Sequence, residues 1–444
     1  MRDADQRIIS RRTLQKSLVA MPSAISTNRL TQDQSENEIR EFLRPYVMDR
    51  QSVEDFLNPR TRVWARFDPD TGYLLRNSFM RDGVDSSHTL ARYEATGQRF
   101  QVNFRDRPCR INTYGNSFTQ GHQSNDSETW QEILAGHFGE PIRNWGIGGF
   151  GVYQASLRLE KNEPTKLGAE NVIFNIWGDD HWRSINAWRQ LTFPPNIVKG
   201  LSGKMFHSNP WKHARLDANS GKLIDKPNNA NTPEKLRQLC NFDTVYETFR
   251  SDMIVHALIA IRTGRIVNRA SIDEMIAATG LKNADLSSPD KVRQTVQKLY
   301  EDYAIKVGMR IMERVHDFLQ KSNKKLFVLL SYPASNVWYA CAGRPKDLKS
   351  PIFDFHPREF QEFLQSRKIP FIDSVAKHVE EFAQFRIDAK AYVDRYYIGH
   401  YNPKGQHFFA FAIKNEIVNW LNPKPPTYAD ESEGVIRFEG YLPG

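Results

Sequence analysis

A serine in the stretch Thr113-Tyr114-Gly115-Asn116-Ser117-Phe118-Thr119-Gln120-Gly121 has the surroundings of a nucleophile. Before it, the alternating run Cys109 to Thr113 reads as a strand. After it, Trp130, Ile133, Leu134 and Phe138 recur at helical spacing within Glu128 to Phe138. A hydroxyl on a Gly-flanked turn between a strand's carboxyl end and a helix lies where open α/β sheets hold their ligands. Acyl transfer is the chemistry such a serine can do. It needs a base to take the proton, because a free hydroxyl is too weakly acidic to attack an ester at neutral pH. Gly, Asn and Ser are equally the ordinary residues of a plain tight turn, so the stretch alone leaves both readings open.

Three further blocks follow in order: Asn144-Trp145-Gly146-Ile147-Gly148-Gly149, Trp177-Gly178-Asp179-Asp180, and Gly399-His400-Tyr401-Asn402-Pro403-Lys404-Gly405. Together with the Ser117 block they resemble the SGNH (GDSL-like) hydrolases, α/β esterases whose four blocks supply a serine, a glycine, an asparagine and a histidine. The resemblance covers the middle and the C-terminal quarter of the chain, in two separated pieces. It implies a three-layer αβα, flavodoxin-like core with a parallel sheet, Ser117 as nucleophile and His400 as base. It also implies an oxyanion hole from the backbone N–H groups of Ser117 and Gly149, where a missing side chain lets substrate approach. Asn116, where the family usually has aspartate, would hydrogen-bond the nucleophile loop. His407, seven residues beyond His400, reads as packing.

Two positions depart from the family's pattern. The acid that usually precedes the histidine by two or three residues is replaced by Tyr397 and Ile398. Asp394 is the nearest acid in sequence, Asp373 and Asp388 could approach through space, and a backbone carbonyl could also hold the ring, since orientation and tautomer are what the third group supplies. The family's oxyanion asparagine aligns with Asp179, whose ionised carboxylate would repel the developing charge. Three readings stand: Asp179 is protonated in a dry pocket, it points away while Asn175 or another donor substitutes, or the chain binds without hydrolysing.

Trp177, Trp182 and Trp188 cluster after the third block, with Trp145 in the second. Flat aromatic side chains at a cleft rim suit stacking on sugar rings, and core packing explains any one of them equally well. With Arg183 and the basic balance they point to a carbohydrate ester. The expected function is a serine esterase removing a small acyl group, acetyl above all, from a glycan or similar polar substrate. The alternatives are an O-acyltransferase with the same site and a non-catalytic carbohydrate-binding protein. This chemistry needs no metal or organic cofactor.

Composition bounds the rest. The chain has 444 residues, 40% of them hydrophobic, with 27 Phe, 16 Tyr and 9 Trp, enough to build a substantial core and to argue against global disorder. Its 61 basic and 52 acidic residues leave a net charge of +9, which permits attraction to anionic polymers without choosing one. The basic residues are scattered and form no nucleic-acid-binding signature, which argues against a nucleic-acid partner. Cys109, Cys240 and Cys341 are far apart and match neither a zinc site nor a disulfide framework. The longest apolar runs are too short to span a bilayer, so a soluble protein is expected. Ser10 to Lys16 looks like a twin-arginine export signal, but the short, Pro22-containing stretch after it fits a plain basic leader as well, leaving cytoplasmic and exported locations open.

The elements that must position the four blocks read as follows. Residues 1–60 are a leader and short helices, with Ser35 and Glu38 as a capping box. Residues 61–108 are a small β-rich region with a turn at Asp68 to Gly72 and a strand at Arg99 to Phe104. Residues 109–183 and 323–421 form the hydrolase-like core, with strands at Pro141 to Trp145, Asn171 to Ile176, Leu326 to Ser331 and Ile369 to Asp373, and a closing helix from Phe408 to Leu421. Residues 184–322 are a mostly helical insertion, in which Thr232 and Pro233 start one helix, Ser271 caps another, and the last runs from Pro289 to about Gln320. Residues 422–444 are a C-terminal extension.

Overall fold

The computed structural model describes residues 30–197, 209–343 and 354–429. The twin-arginine-like stretch and the last part of the C-terminal extension lie outside them. Two short hairpins come first, β1 (Ala65–Asp68) with β2 (Gly72–Leu75) and β3 (Ser78–Met80) with β4 (Thr89–Ala91). The sheet that follows has five parallel strands: β5 (Ile111–Gly115), β6 (Arg143–Asn144), β7 (Asn171–Trp177), and, after the hairpin β8 (His213–Leu216) and β9 (Leu223–Lys226), β10 (Lys325–Ser331) and β11 (Phe371–Asp373).

Their order across the sheet is β11-β10-β7-β5-β6. The chain therefore leaves β5 towards one edge and returns to its other side with β7. In a sheet so wound, the crevice outside the carboxyl ends of the strands at this reversal is where ligands bind. Along β7, Asn171 to Ile176 are buried, as a strand covered on both faces requires.

Helices cover both faces. In chain order they are α1 (Gln32–Leu43), α2 (Arg50–Leu57), α3 (Ser117–Gln120), α4 (Trp130–Phe138), α5 (Val152–Asn162), α6 (Asp180–Ile185), α7 (Pro233–Gln238), α8 (Phe242–Phe249), α9 (Met253–Thr263), α10 (Arg269–Thr279), α11 (Pro289–Lys321), α12 (Ala334–Ala342), α13 (Arg358–Ser366), α14 (Ser374–Phe382), α15 (Ala389–Tyr396) and α16 (Pro403–Trp420). On one face α16 packs on α4 and on β10, where Trp130 meets Phe409 and Phe327 meets Trp420 edge-on at 5.7 and 5.3 Å between ring centroids. On the other lie α5, α11 and α13. There Tyr114 of β5 donates to Glu163, just beyond α5, at 2.8 Å.

Several sequence expectations shift. Residues 184–322 hold the β8–β9 hairpin besides helices, and their last helix, α11, packs on α5, α6 and β10 while also touching α9 and α10. It lies in the crossover joining β7 to β10. Arg99 to Phe104 is no strand: Arg99 makes one isolated bridge to Tyr93 and its side chain turns inward to Asp126. Phe100 lies under the guanidinium groups of Arg92 and Arg105. α1 is capped one turn early, by Thr31 with Gln34 in place of Ser35 with Glu38, and Asn268 rather than Ser271 caps α10. α16 starts at Pro403 instead of Phe408, because Asn402 accepts from Gly405 N at 2.9 Å and proline fits a first helical position.

Candidate active site

The nucleophile turn is built from local constraints. β5 ends at Gly115, whose φ is +151° and where a Cβ would stand 2.5 Å from Asn175 O, so only glycine fits. Asn116 Oδ1 then accepts from Phe118 N at 2.7 Å, capping α3 so that Ser117 is its first residue. The N–H groups at such a position have no acceptor inside the helix. At the other end of α3, the buried Arg99 donates to the carbonyls of Gln120, Gly121 and Ser124 at 2.5, 2.8 and 2.6 Å and pairs with Asp126 at 3.0 Å. The carbonyls and the carboxylate together compensate a cation that would otherwise be costly to bury.

His400 comes to this turn from the far end of the chain. Its Nε2 lies 2.8 Å from Ser117 Oγ. It sits in a tight loop, closed by a bridge between Tyr397 and Tyr401 and by Ile398 N donating to His400 O at 3.0 Å. Both tyrosine hydroxyls reach Nε2 of the buried His378, at 3.2 and 2.8 Å, while the hydroxyl of Tyr392 reaches its Nδ1 at 3.0 Å. Burial pushes His378 down to about 3, so the ring is neutral inside this cage. The His400 ring itself packs on Phe118 and edge-on to His122, with centroids 5.1 and 4.8 Å apart.

On the Nδ1 side of His400 stands Gln123, its Oε1 at 3.2 Å from Nδ1 and 2.9 Å from His400 N. Gln123 Nε2 donates to Asp82 O at 2.9 Å. Gln123 has φ +66°, and Gly399 has φ +121°, with a would-be Cβ 3.0 Å from Gln123 Oε1. The acids weighed from sequence are engaged elsewhere. Asp394 is ion-paired with Lys390 on the exposed side of α15, Asp388 accepts from Ala391 N at 2.8 Å as that helix's cap, and Asp373 accepts from Val375 N and Tyr332 at 3.0 and 3.2 Å. Gln123 was missed because nothing local marks it: it lies 277 positions from His400.

The second block pins the other side of the turn. Gly148 N donates to Gln120 Oε1 at 2.8 Å, and Gly148 O accepts from the Tyr73 hydroxyl at 2.6 Å. Gly149 has φ +86°. In the third block Asp180, buried, accepts from Asn116 Nδ2, from Trp177 N at 2.9 Å and from Arg183 Nη1 at 2.9 Å. Burial pushes Asp180 up to about 7 against the pull of Arg183.

Asp179 is bonded to Arg183 Nη2 and its side chain is 36% exposed. Asn175, the substitute donor considered, is buried in β7 with its Oδ1 accepting from Ser331 Oγ at 2.6 Å. Arg183 is spent on the two aspartates and on Phe150 O, at 3.2 Å, and is 4% exposed. Trp182, Trp188 and Trp145 are buried, so core packing wins over sugar stacking for them; the half-buried Trp177 stacks on Phe118 at 5.0 Å. His407 stacks on Phe411. Among the described residues no group of three or more His, Cys, Asp or Glu side chains is placed to hold a metal ion, and no helix is long and apolar enough to cross a membrane.

No family model and no curated protein matches the chain. Among solved structures, one overlays 70% of this chain and 95% of its own at 11% identity with a TM-score of 0.31. Another, a protein from Bacteroides fragilis NCTC 9343 put forward as an acylhydrolase, overlays 72% of this chain and 90% of its own at 12% identity with a TM-score of 0.28. Overlays this loose leave the weight on the site's own geometry.

Proposed function

We propose that the protein is a serine hydrolase of the SGNH kind that removes a small acyl group, such as acetyl, from a polar ester. The observation that carries this reading is the 2.8 Å hydrogen bond between Ser117 Oγ and His400 Nε2, two side chains 283 positions apart. Nucleophile and base within hydrogen-bond reach, with a third group behind the base, is the arrangement covalent acyl transfer needs.

In the proposed reaction His400 Nε2 takes the hydroxyl proton as Ser117 Oγ attacks the ester carbonyl. The N–H groups of Ser117 and Gly149 receive the oxyanion. The imidazolium then protonates the leaving alcohol, and water, activated by the same ring, releases the acid and restores Ser117. The ion pair with Arg183 offsets the charge of Asp179, which otherwise counts against an oxyanion. A carbohydrate alcohol, expected from the tryptophans, loses the support of Trp145, Trp182 and Trp188, whose surfaces protein already covers.

A fluorophosphonate probe tests the reading, with turnover of p-nitrophenyl acetate and of a panel of acetylated sugars. Labelling of wild type at Ser117, lost in Ser117→Ala, is expected. An unlabelled wild type that turns over none of these esters removes the proposal.

A further inference from the structure

We infer that Gln123 is the positioning residue for His400, so that the catalytic group is Ser117–His400–Gln123 with an amide where such sites usually carry a carboxylate. The inference rests on the serine-hydrolase reading above.

Oxygen and nitrogen of a glutamine amide are told apart only by their partners. Here the partners decide: His400 N–H can only donate and Asp82 C=O can only accept. The amide atom 2.9 Å from His400 N is therefore oxygen, and the one 2.9 Å from Asp82 O is nitrogen. An oxygen 3.2 Å from Nδ1 of His400 demands a proton there. A neutral imidazole protonated on Nδ1 bears its lone pair on Nε2, the atom facing Ser117 Oγ. Gln123 thus selects the tautomer that can act as base, which is the service the third group of a triad performs.

Two backbone conformations serve this contact. Gln123 occupies the left-handed region at φ +66°, unusual for a residue with a side chain, and Gly399 at φ +121° leaves the gap into which Gln123 Oε1 fits. His122 packs edge-on against it, held below its ordinary pKa mainly by burial, and the Asp82 carboxylate stands 3.7 Å from His122 Nε2. Arg99 acts on His122 from the far side, and on His400's own loop Tyr397 and Tyr401 point their hydroxyls to His378. A neutral amide, unlike a carboxylate, adds no charge to stabilise the imidazolium.

The tests use the full chain. Nitrogen-15 NMR of the histidine rings should find His400 protonated on Nδ1 in wild type and a mixture of tautomers in Gln123→Ala. Gln123→Ala should lower kcat on the order of a hundredfold, a fraction of the loss that a wrong tautomer causes elsewhere, with KM within about twofold as expected for an interaction that matters in the transition state. Gln123→Glu keeps an acceptor for His400 N and Nδ1 but sets a carboxylate oxygen against Asp82 O, so its fold is checked by its melting curve; it should retain turnover and move the acid limb of kcat/KM upward by about one pH unit. An unchanged tautomer ratio in Gln123→Ala, or an acid limb that stays put in Gln123→Glu, overturns the inference. A wild type without labelling or turnover would instead overturn the esterase reading, and the tautomer measurement would still decide what Gln123 does.

Discussion

The hydroxyl of Tyr401 lies 2.8 Å from Nε2 of His378, so the residue next to the proposed base is tied to a second, buried histidine. With Tyr397 on the same ring nitrogen, the loop carrying His400 is fastened at both ends. His378 also stacks on Phe408, at 4.2 Å between centroids.

That fastening should fail in acid. The folded-state pKa of His378, about 3, lies below the unfolded value of about 6.5. Its contribution is therefore complete above pH 6.5 and is lost as pH falls from there towards 3. His378→Phe keeps a ring against Phe408 but cannot titrate. The stability advantage of wild type over this variant should shrink by about 2 kcal/mol between pH 7 and pH 5. Chemical denaturation at the two pH values measures it, and an advantage that stays constant would show that the ring does not titrate as described.

Glycine at 146 is required by closeness: a Cβ there would stand 2.2 Å from Gln120 N and 2.5 Å from the carbonyl carbon of Thr119. Gly146→Ala should push the second block off α3, costing about 1–3 kcal/mol and most of the turnover. Gly136, inside α4, has nothing within 4 Å of its would-be Cβ. Gly136→Ala should raise stability by about 0.5–1 kcal/mol and leave turnover alone. Equal melting shifts in the two variants would contradict the packing described.

The two adjacent aspartates should separate cleanly. Asp180 is buried with three donors, so Asp180→Ala leaves Arg183 undercompensated and should cost about 3–5 kcal/mol. The Asp179 side chain is 36% exposed, so Asp179→Asn should cost under about 1 kcal/mol while preserving or raising ester turnover. Denaturation midpoints and kcat/KM for both variants decide it. A large fall in turnover for Asp179→Asn would give that carboxylate a catalytic role of its own.

Ser117→Ala and His400→Ala should each lower kcat on the order of 10³-fold or more, and the double variant hardly further, because the pair acts as a unit. Steady-state kinetics on the three proteins checks this. Losses that multiply would mean that the two side chains work separately.

Much of this architecture is legible because its causes are local. The apolar run from Asn171 to Ile176, the turn formers around Ser117 and the periodicity from Pro289 onward each carry their instruction within a few residues, and β7, α3 and α11 form where those signals lie. Helix starts move by four or five residues because neighbouring residues such as Thr31 and Ser35 can both cap, and packing chooses. The tryptophans misled because large aromatic rings suit a cleft and a core alike; burial of Trp145, Trp182 and Trp188 decides for the core.

The sequence by itself determined the strand-turn-helix units and the chain order of the four blocks, since hydrophobic period, caps and glycine positions act over a handful of bonds. Tertiary structure alone decided the partners: Gln123 rather than Asp394 at His400, Asp180 for Asn116, Arg183 for Asp179. Those pairings depend on which side chains the wound sheet brings within about 3 Å of one another, the reach of a hydrogen bond. Nothing in residue type or spacing encodes that distance before the chain has closed on itself.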